Sequence, residues 1–329
     1  MQQRPLGRTG RQVSVIGLGT WQLGTDWGDV TADDALAVLG AAAAQDVTLF
    51  DTADVYGDGR SESFIGEFTR TAAGAGVVVA TKMGRRAEQL PENYNPENFR
   101  AWNDRSRANL GVSTLDLVQL HCPPTAVITS QATYDALDEL VADGSIAAYG
   151  ISVETCEQAL AAIERGVTNI QIILNPFRLK PLDEVLPAAQ AADVAVFARV
   201  PLASGLLSGR YTSSTVFDAS DHRTYNRHGE AFDRGETFSG VDFEVGVAAA
   251  AELAEVLPSD VPLPAATLAW IAAQPGVTSV IPGARNPRQA EANAAAAALL
   301  DGGFDLEAFD ARVREVYDER LRADIHPLW

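Results

Sequence analysis

Near-continuous apolar runs recur along the chain as VSVIGLGT, VTLFDTA, VVVATKM, LDLVQLH, AAYGISV, NIQIILN, VAVFARV and TSVIPG. Such runs, rich in β-branched residues, suit parallel strands buried on both faces. Between them lie alanine-rich segments that open on helix start signals. Thr31-Ala32-Asp33-Asp34 and Thr155-Cys156-Glu157-Gln158 place a hydroxyl at the cap and a polar side chain three residues on. Asn286-Pro287-Arg288-Gln289 has asparagine at the cap and proline at the first helical position. Gly144 and Gly166 fall where helices should stop. A leading segment, QRPLGRTGRQV, has the glycine-rich turns of a small hairpin. Eight strand–helix units without a low-complexity linker predict a single (β/α)8 TIM barrel domain over residues 1–329, in the α/β class.

One stretch departs from the rhythm. Residues 210–243, after the seventh strand, show neither helical nor strand periodicity, and a loop this long in a compact domain is usually functional or disordered. Its aromatics, Tyr211, Phe217, Tyr225, Phe232, Phe238 and Phe243, argue against disorder. Arg223, Arg227 and Arg234, with Gly229, Gly235 and Gly240 as hinges, predict a segment that folds over bound phosphates. A permanently packed surface loop is the alternative.

Composition narrows the partners. The length alone would allow two domains, but barrels run this long as one unit. With 25 basic and 44 acidic residues the net charge is −19, which disfavours nucleic acid and anionic membranes. The two cysteines, Cys122 and Cys156, form no disulfide framework. The leading residues lack the apolar core of a signal peptide, and no run spans a bilayer, so a cytoplasmic protein is expected. No oligomeric state follows from the sequence. Only Lys82 and Lys180 are lysines, so a lysine inside a strand invites a chemical explanation.

In such a barrel the site lies at the carboxyl ends of the strands. Those ends carry Asp51 with Tyr56, then Lys82, then His121, on three successive strands. A buried ammonium needs a partner, and Asp51 is available. An ammonium near Tyr56 is expected to lower the phenol from its usual value near 10, making it a usable general acid. His121 can donate a hydrogen bond or relay a proton. No activated serine or cysteine and no metal-ligand spacing is evident. Singly, these residues read as a turn cap, a loop aromatic and a core histidine; together they read as a site. Cys122 and Cys156 are read as inert, and Asp221, His222 and His228 as a solvated loop and not a metal cluster.

The cofactor end can be argued separately. Strand eight runs through Ile281, Pro282, Gly283, Ala284 and Arg285 into the helix opening at Asn286, and a helix N-terminus binds phosphate. Arg285 and Arg288 add local positive charge. Strand seven leads into Pro201-Leu202-Ala203-Ser204-Gly205-Leu206-Leu207-Ser208-Gly209-Arg210, whose small residues let backbone donors approach a pyrophosphate. Gly17-Leu18-Gly19 fails as a dinucleotide fingerprint because Gln22 replaces the third glycine. It ends strand one and places Thr20 and Trp21 near the site, with core packing as the alternative for Trp21.

FDTADVYGDGRSESFIGE, VVVATKMG, LDLVQLHCPP and IPGARNPRQAEAN resemble the signature segments of the aldo-keto reductases, from about Pro5 to about Ala298. The resemblance implies a (β/α)8 enzyme using NADPH, with NADH the lesser candidate, and a catalytic tetrad of Asp51, Tyr56, Lys82 and His121. Tyr56 would protonate a carbonyl oxygen, Lys82 held by Asp51 would tune it, and His121 would orient the carbonyl. Cofactor contacts are implied for Gly19, Thr20, Trp21, Asp51, Ser152, Gln171, Arg199, Pro201, Leu202, Ser204, Gly205, Leu207 and Arg210. They are implied also for Gly283, Ala284, Arg285, Gln289 and Asn293, with Arg285, Gln289 and Asn293 on the 2′-phosphate and adenine. Val153, Arg199 and Ala292 depart from the common asparagine, stacking tyrosine and glutamate. The expected reaction reduces an aldehyde or ketone to an alcohol, or oxidises a sugar or polyol in reverse. The alternative is a slow nucleotide-binding regulatory subunit resembling the potassium-channel β-subunits, which the absence of an added docking arm disfavours.

Overall fold

The computed structural model describes residues 1–24, 30–231 and 233–329. Strands β1 (Gln3–Pro5) and β2 (Gln12–Ser14) form an antiparallel hairpin. Eight parallel strands follow: β3 (Leu18–Gly19), β4 (Leu49–Asp51), β5 (Val78–Met83), β6 (Leu117–His121), β7 (Tyr149–Ser152), β8 (Asn169–Ile173), β9 (Ala195–Arg199) and β10 (Ser279–Val280). Each pairs with its sequence neighbour, and parallel bridges Ile16↔Val280 and Gly19↔Gly283 close the ring. The first apolar run divides: Val13 and Ser14 belong to the hairpin, and the barrel strand begins at Leu18.

That division has a packing reason. Leu6 and Val13 of the hairpin are fully buried against Leu49, Val78, Leu117 and Phe197, which line the barrel interior, so the hairpin plugs its amino-terminal end. A second, larger apolar cluster lies between the strands and the surrounding helices. The expected helix starts are present. Thr31 and Thr155 form reciprocal capping boxes with Asp34 and Gln158, and Asn286 accepts from Gln289 N with Pro287 following. Gly144 and Gly166 take left-handed φ values of 79° and 77° after their helices, a conformation glycine adopts without steric cost.

Among the described residues, the long connection after β9 holds short helical turns, Ala203–Ser208, His222–Tyr225 capped by Asp221, and Thr237–Gly240, before the helix Phe243–Ala254. Tyr211, Phe217, Phe238 and Phe243 pack ring to ring, with Phe217 5.1 Å from Tyr211 and 5.7 Å from Phe243. Two of its arginines serve this cluster: Arg223 lies 4.4 Å from the Phe217 ring and Arg227 5.4 Å from the Phe243 ring. Phe232 lies outside the described residues. Among the described residues no helix is long and apolar enough to cross a membrane.

Candidate active site

The strand register assembles the floor. Lys82 on β5 lies opposite Gln119 on β6, His121 opposite Ser152 on β7, and Ser152 opposite Gln171 on β8. Lys82 is 1% exposed, and its Nζ donates to Asp51 Oδ1 at 2.5 Å and to the Thr52 carbonyl at 2.9 Å. The second Asp51 oxygen accepts from Gln171 Nε2 at 2.7 Å and Gln119 Nε2 at 3.3 Å. Burial pulls the ammonium down, but the Asp51 carboxylate and the Tyr56 oxygen together outweigh it and hold Lys82 above its ordinary range. The ammonium sits 5.3 Å from the centre of the Tyr56 ring, and His121 meets the same ring edge-on at 6.0 Å.

Tyr56 reaches this spot through a turn that only glycines allow. A Cβ on Gly57, at φ 61°, would lie 2.1 Å from the Gly24 carbonyl oxygen, and one on Gly24 would lie 2.5 Å from the Tyr56 backbone. The phenol differs from expectation. Burial pushes it above its ordinary value; Lys82 opposes this, but Asp51, which neutralises the ammonium, adds to the upward shift. His121 is held well below the ordinary histidine range by burial and then by Arg85, Lys82 and Arg199, so its ring is neutral near pH 7.

Above the floor opens a cavity of about 640 Å³, lined by Trp21, Tyr56, Arg85, His121, Ser152, Gln171, Arg199 and Tyr225, with Asp233 and Glu236 at the roof. Arg85, just past β5, pairs through Nη2 with both Asp233 oxygens, and its Nε donates to the His121 carbonyl at 3.1 Å. Arg199, at the end of β9, pairs with Glu236 and donates to the Val153 carbonyl at 3.1 Å. Burial, then the Asp233 carboxylate, pushes Glu154 up to about 7. Cys122 touches Ser152 Oγ at 3.5 Å, and burial pushes its thiol up, which keeps it protonated. Cys156 is pushed up to about 12 for the same reason.

The candidate cofactor residues divide into three groups. Thr20 N and Oγ1 both donate to the Asp51 carbonyl at 2.9 Å, and Trp21, Ser152, Gln171 and Arg199 face the cavity. In the turn after β9, Ala203, Ser204 and Gly205 have φ values of 47°, 54° and 96°, a backbone bend that gathers donors. Pro201 and Leu207 there have buried side chains, Leu202 is half-buried and Arg210 is exposed. Ser204 also ties the roof, donating to the Glu236 carbonyl at 3.3 Å and accepting from Phe238 N at 3.1 Å. At the helix opening, Arg285 N donates to Gln289 Oε1 at 2.8 Å, Asn293 Nδ2 donates to the Gly283 carbonyl at 3.1 Å, and Ala284 is buried. Arg285 and Arg288 project into solvent beside the cap. A capped helix N-terminus flanked by two exposed guanidiniums, together with a cavity that carries amide and hydroxyl donors, fits an elongated anionic nucleotide.

Residues 15–302 match the model of the aldo/keto reductase family. The chain belongs to the aldo/keto reductase family. It is 30% identical over 301 residues to the aldo-keto reductase YhdN of Bacillus subtilis, covering 89% of this chain and 87% of that one. Its fold is similar to the glycerol dehydrogenase AKR11B4 of Gluconobacter oxydans at TM-score 0.75 and 28% identity, covering 95% and 94% of the two chains. It is equally similar, at TM-score 0.75 and 25% identity over 96% of each chain, to the holo form of the aldo-keto reductase AKR11C1 from Bacillus halodurans. The protein is therefore an oxidoreductase of that family.

In this aldo/keto reductase the four candidate catalytic residues converge on one floor, while Arg285, Gln289 and Asn293 stand apart at the helix opening. Sequence reasoning missed Arg85, Gln119, Glu154, Asp233 and Glu236. A signal existed for Arg85, which follows β5 by two residues and so lies at a strand's carboxyl end. None existed for Asp233 and Glu236, because a loop without periodicity does not say which side chains turn inward.

Proposed function

We propose that this aldo/keto reductase, as one barrel domain, reduces an aldehyde or ketone to an alcohol with NADPH, with Tyr56 as the acid. The observation that carries this reading is the buried Lys82–Asp51 pair beneath Tyr56, beside a neutral His121. When bound, the nicotinamide supplies or accepts a hydride at the substrate carbon. Burial keeps Tyr56 protonated at neutral pH, so it can give a proton to a carbonyl oxygen that gains negative charge. The ammonium stabilises the phenolate this leaves behind. Neutral His121 donates a hydrogen bond to the same oxygen and fixes its position. In the reverse direction a polyol or sugar hydroxyl gives its proton to the phenolate, which requires more alkaline solution.

Ser152 and Gln171 would hold the carboxamide, Gly19, Thr20, Trp21 and Arg199 the ring surroundings, and the 201–210 turn the pyrophosphate. Arg285, Gln289 and Asn293 would hold the adenosine phosphate. Tyr56→Phe removes the acid and leaves these contacts, so carbonyl reduction should fall on the order of 10²–10⁴-fold while NADPH still binds by fluorescence titration. Near-normal turnover by the purified variant would sink the assignment.

A further inference from the structure

We propose that Asp233 sets the charge preference of the pocket: by occupying Arg85 it makes the site select uncharged carbonyl compounds and reject carboxylated ones. This rests on the carbonyl-reductase reading above. Asp233 and Glu236 are presented together by a tight turn in which Glu236 N donates to the Asp233 carbonyl at 3.1 Å. The turn delivers one carboxylate to each of two guanidiniums that come from different strand ends, Arg85 after β5 and Arg199 on β9. The other cations facing the cavity are engaged as well. Arg60 donates to the Gly24 carbonyl at 2.8 Å, and Lys82, buried below the cavity, holds Asp51.

A substrate carboxylate entering this pocket would lose water without gaining a cation from Arg85 or Arg199, and would face Asp233 and Glu236. Both effects oppose binding. A neutral carbonyl compound meets neither penalty. Arg85 is the guanidinium that a substrate can reach, because its Nε already touches the His121 carbonyl and its side chain is 18% exposed, against 10% for Arg199. Glu236 is further fixed by the bond between its carbonyl and Ser204, whereas Asp233 is held by the Arg85 pair. Removing the Asp233 charge therefore frees a cation beside the carbonyl-orienting histidine.

Two probes share one skeleton and differ in charge: 4-oxobutanoate and its methyl ester. The ratio of kcat/KM for acid over ester should be low in the native protein and should rise on the order of tenfold or more in Asp233→Ala, the worth of one charge-assisted contact. Asp233→Asn, which keeps the size and drops the charge, should move it the same way. The rise should vanish when Arg85→Met is added. Succinate, which cannot be reduced, gives a second readout free of turnover. Titrated against tryptophan fluorescence, it should bind Asp233→Ala and Asp233→Asn but neither the native protein nor the Arg85→Met double variants. A ratio and a succinate affinity unchanged in both Asp233 variants overturn the inference, as does a rise that survives Arg85→Met. If the native protein reduces neither probe, the reductase reading fails and the succinate titration still decides the charge inference.

Discussion

At the floor of the pocket, Asp51, Lys82, Gln119, His121, Ser152 and Gln171 stand on neighbouring strands whose register sets Lys82 beside Gln119, His121 beside Ser152 and Ser152 beside Gln171. At the roof, Asp233 and Glu236 stand on a short turn held by side-chain ion pairs and by Ser204. The floor gathers charges into one saturated network in which Asp51 has three donors. The roof matches charges one to one and contributes no group of its own to the Lys82–Asp51 pair. A strand-borne site is positioned by the same hydrogen bonds that make the fold, so its chemistry is as stable as the barrel. A loop-borne site is positioned by the charges it neutralises, so a change in one partner is felt locally. The roof is thus the part in which selectivity can be altered while the floor stays in place.

Asp54 is the sharpest way to break this picture of a saturated floor. It lies two residues before Tyr56, is fully buried, and neither carboxylate oxygen has a hydrogen-bond partner among the described residues. Burial, and then the Glu62 carboxylate, push it up to about 7, against the opposing pull of Arg86 and Arg105. Because the folded value exceeds the ordinary 3.8, the stability Asp54 contributes is fully present below that value and is lost as pH rises through about 7. Asp54→Asn should therefore stabilise the protein, by an amount that grows about 2–3 kcal/mol between pH 5 and pH 8. Urea unfolding at the two pH values measures this. An equal effect at both would mean that Asp54 finds a partner on ionising and that the floor is saturated throughout.

What could be read from the sequence follows the same division. Asp51, Lys82 and His121 were legible because apolar runs mark strands and the carboxyl end of a barrel strand is where side chains meet. The helix opening at Asn286 was legible because a cap, a proline and a polar third residue each act locally. The upward shift of Tyr56 was not, because it depends on how much water the whole pocket excludes and on Asp51 cancelling the ammonium. The places that the loop arginines take were not legible either. Arg223 and Arg227 lie over aromatic rings that sequence distance does not reveal, and the inward-facing loop charges in the cavity are acidic.

The roof can be loosened without touching the floor. Gly235 has φ 90°, and a Cβ there would lie 2.4 Å from Arg178 Nη2 and 2.5 Å from Trp329. Arg178 is 1% exposed, stacks 3.9 Å from the Trp329 ring and donates to the carbonyls of Gly235 at 3.4 Å and Ser239 at 3.3 Å. Gly235→Ala therefore strains the backbone and pushes this clasp apart, at a local cost of about 1–3 kcal/mol. Amide exchange across residues 233–240 should speed up while the exchange of β5 and β6 amides and the melting temperature stay close to native. A melting temperature that falls in step with the loop would make the roof part of the cooperative barrel core.

The smallest effect tests whether the logic of strand ends extends from the floor to the far end of the proposed cofactor site. Arg285 and Arg288 flank the Asn286 cap at the carboxyl end of β10, and both are exposed. A dianionic 2′-phosphate there would gain two charge-assisted contacts that a cofactor lacking it does not, each discounted by solvent. Replacing both arginines by alanine should raise the NADPH dissociation constant roughly 3–30-fold and leave that of NADH nearly unchanged. Added salt should shrink the difference, because exposed charges are screened. Fluorescence titration with both cofactors, in low and high salt, reads the two effects together. Equal losses for NADPH and NADH would assign the arginines to the helix opening as structure and not to phosphate recognition. In that case the legible strand-end pattern would stop at the pocket floor.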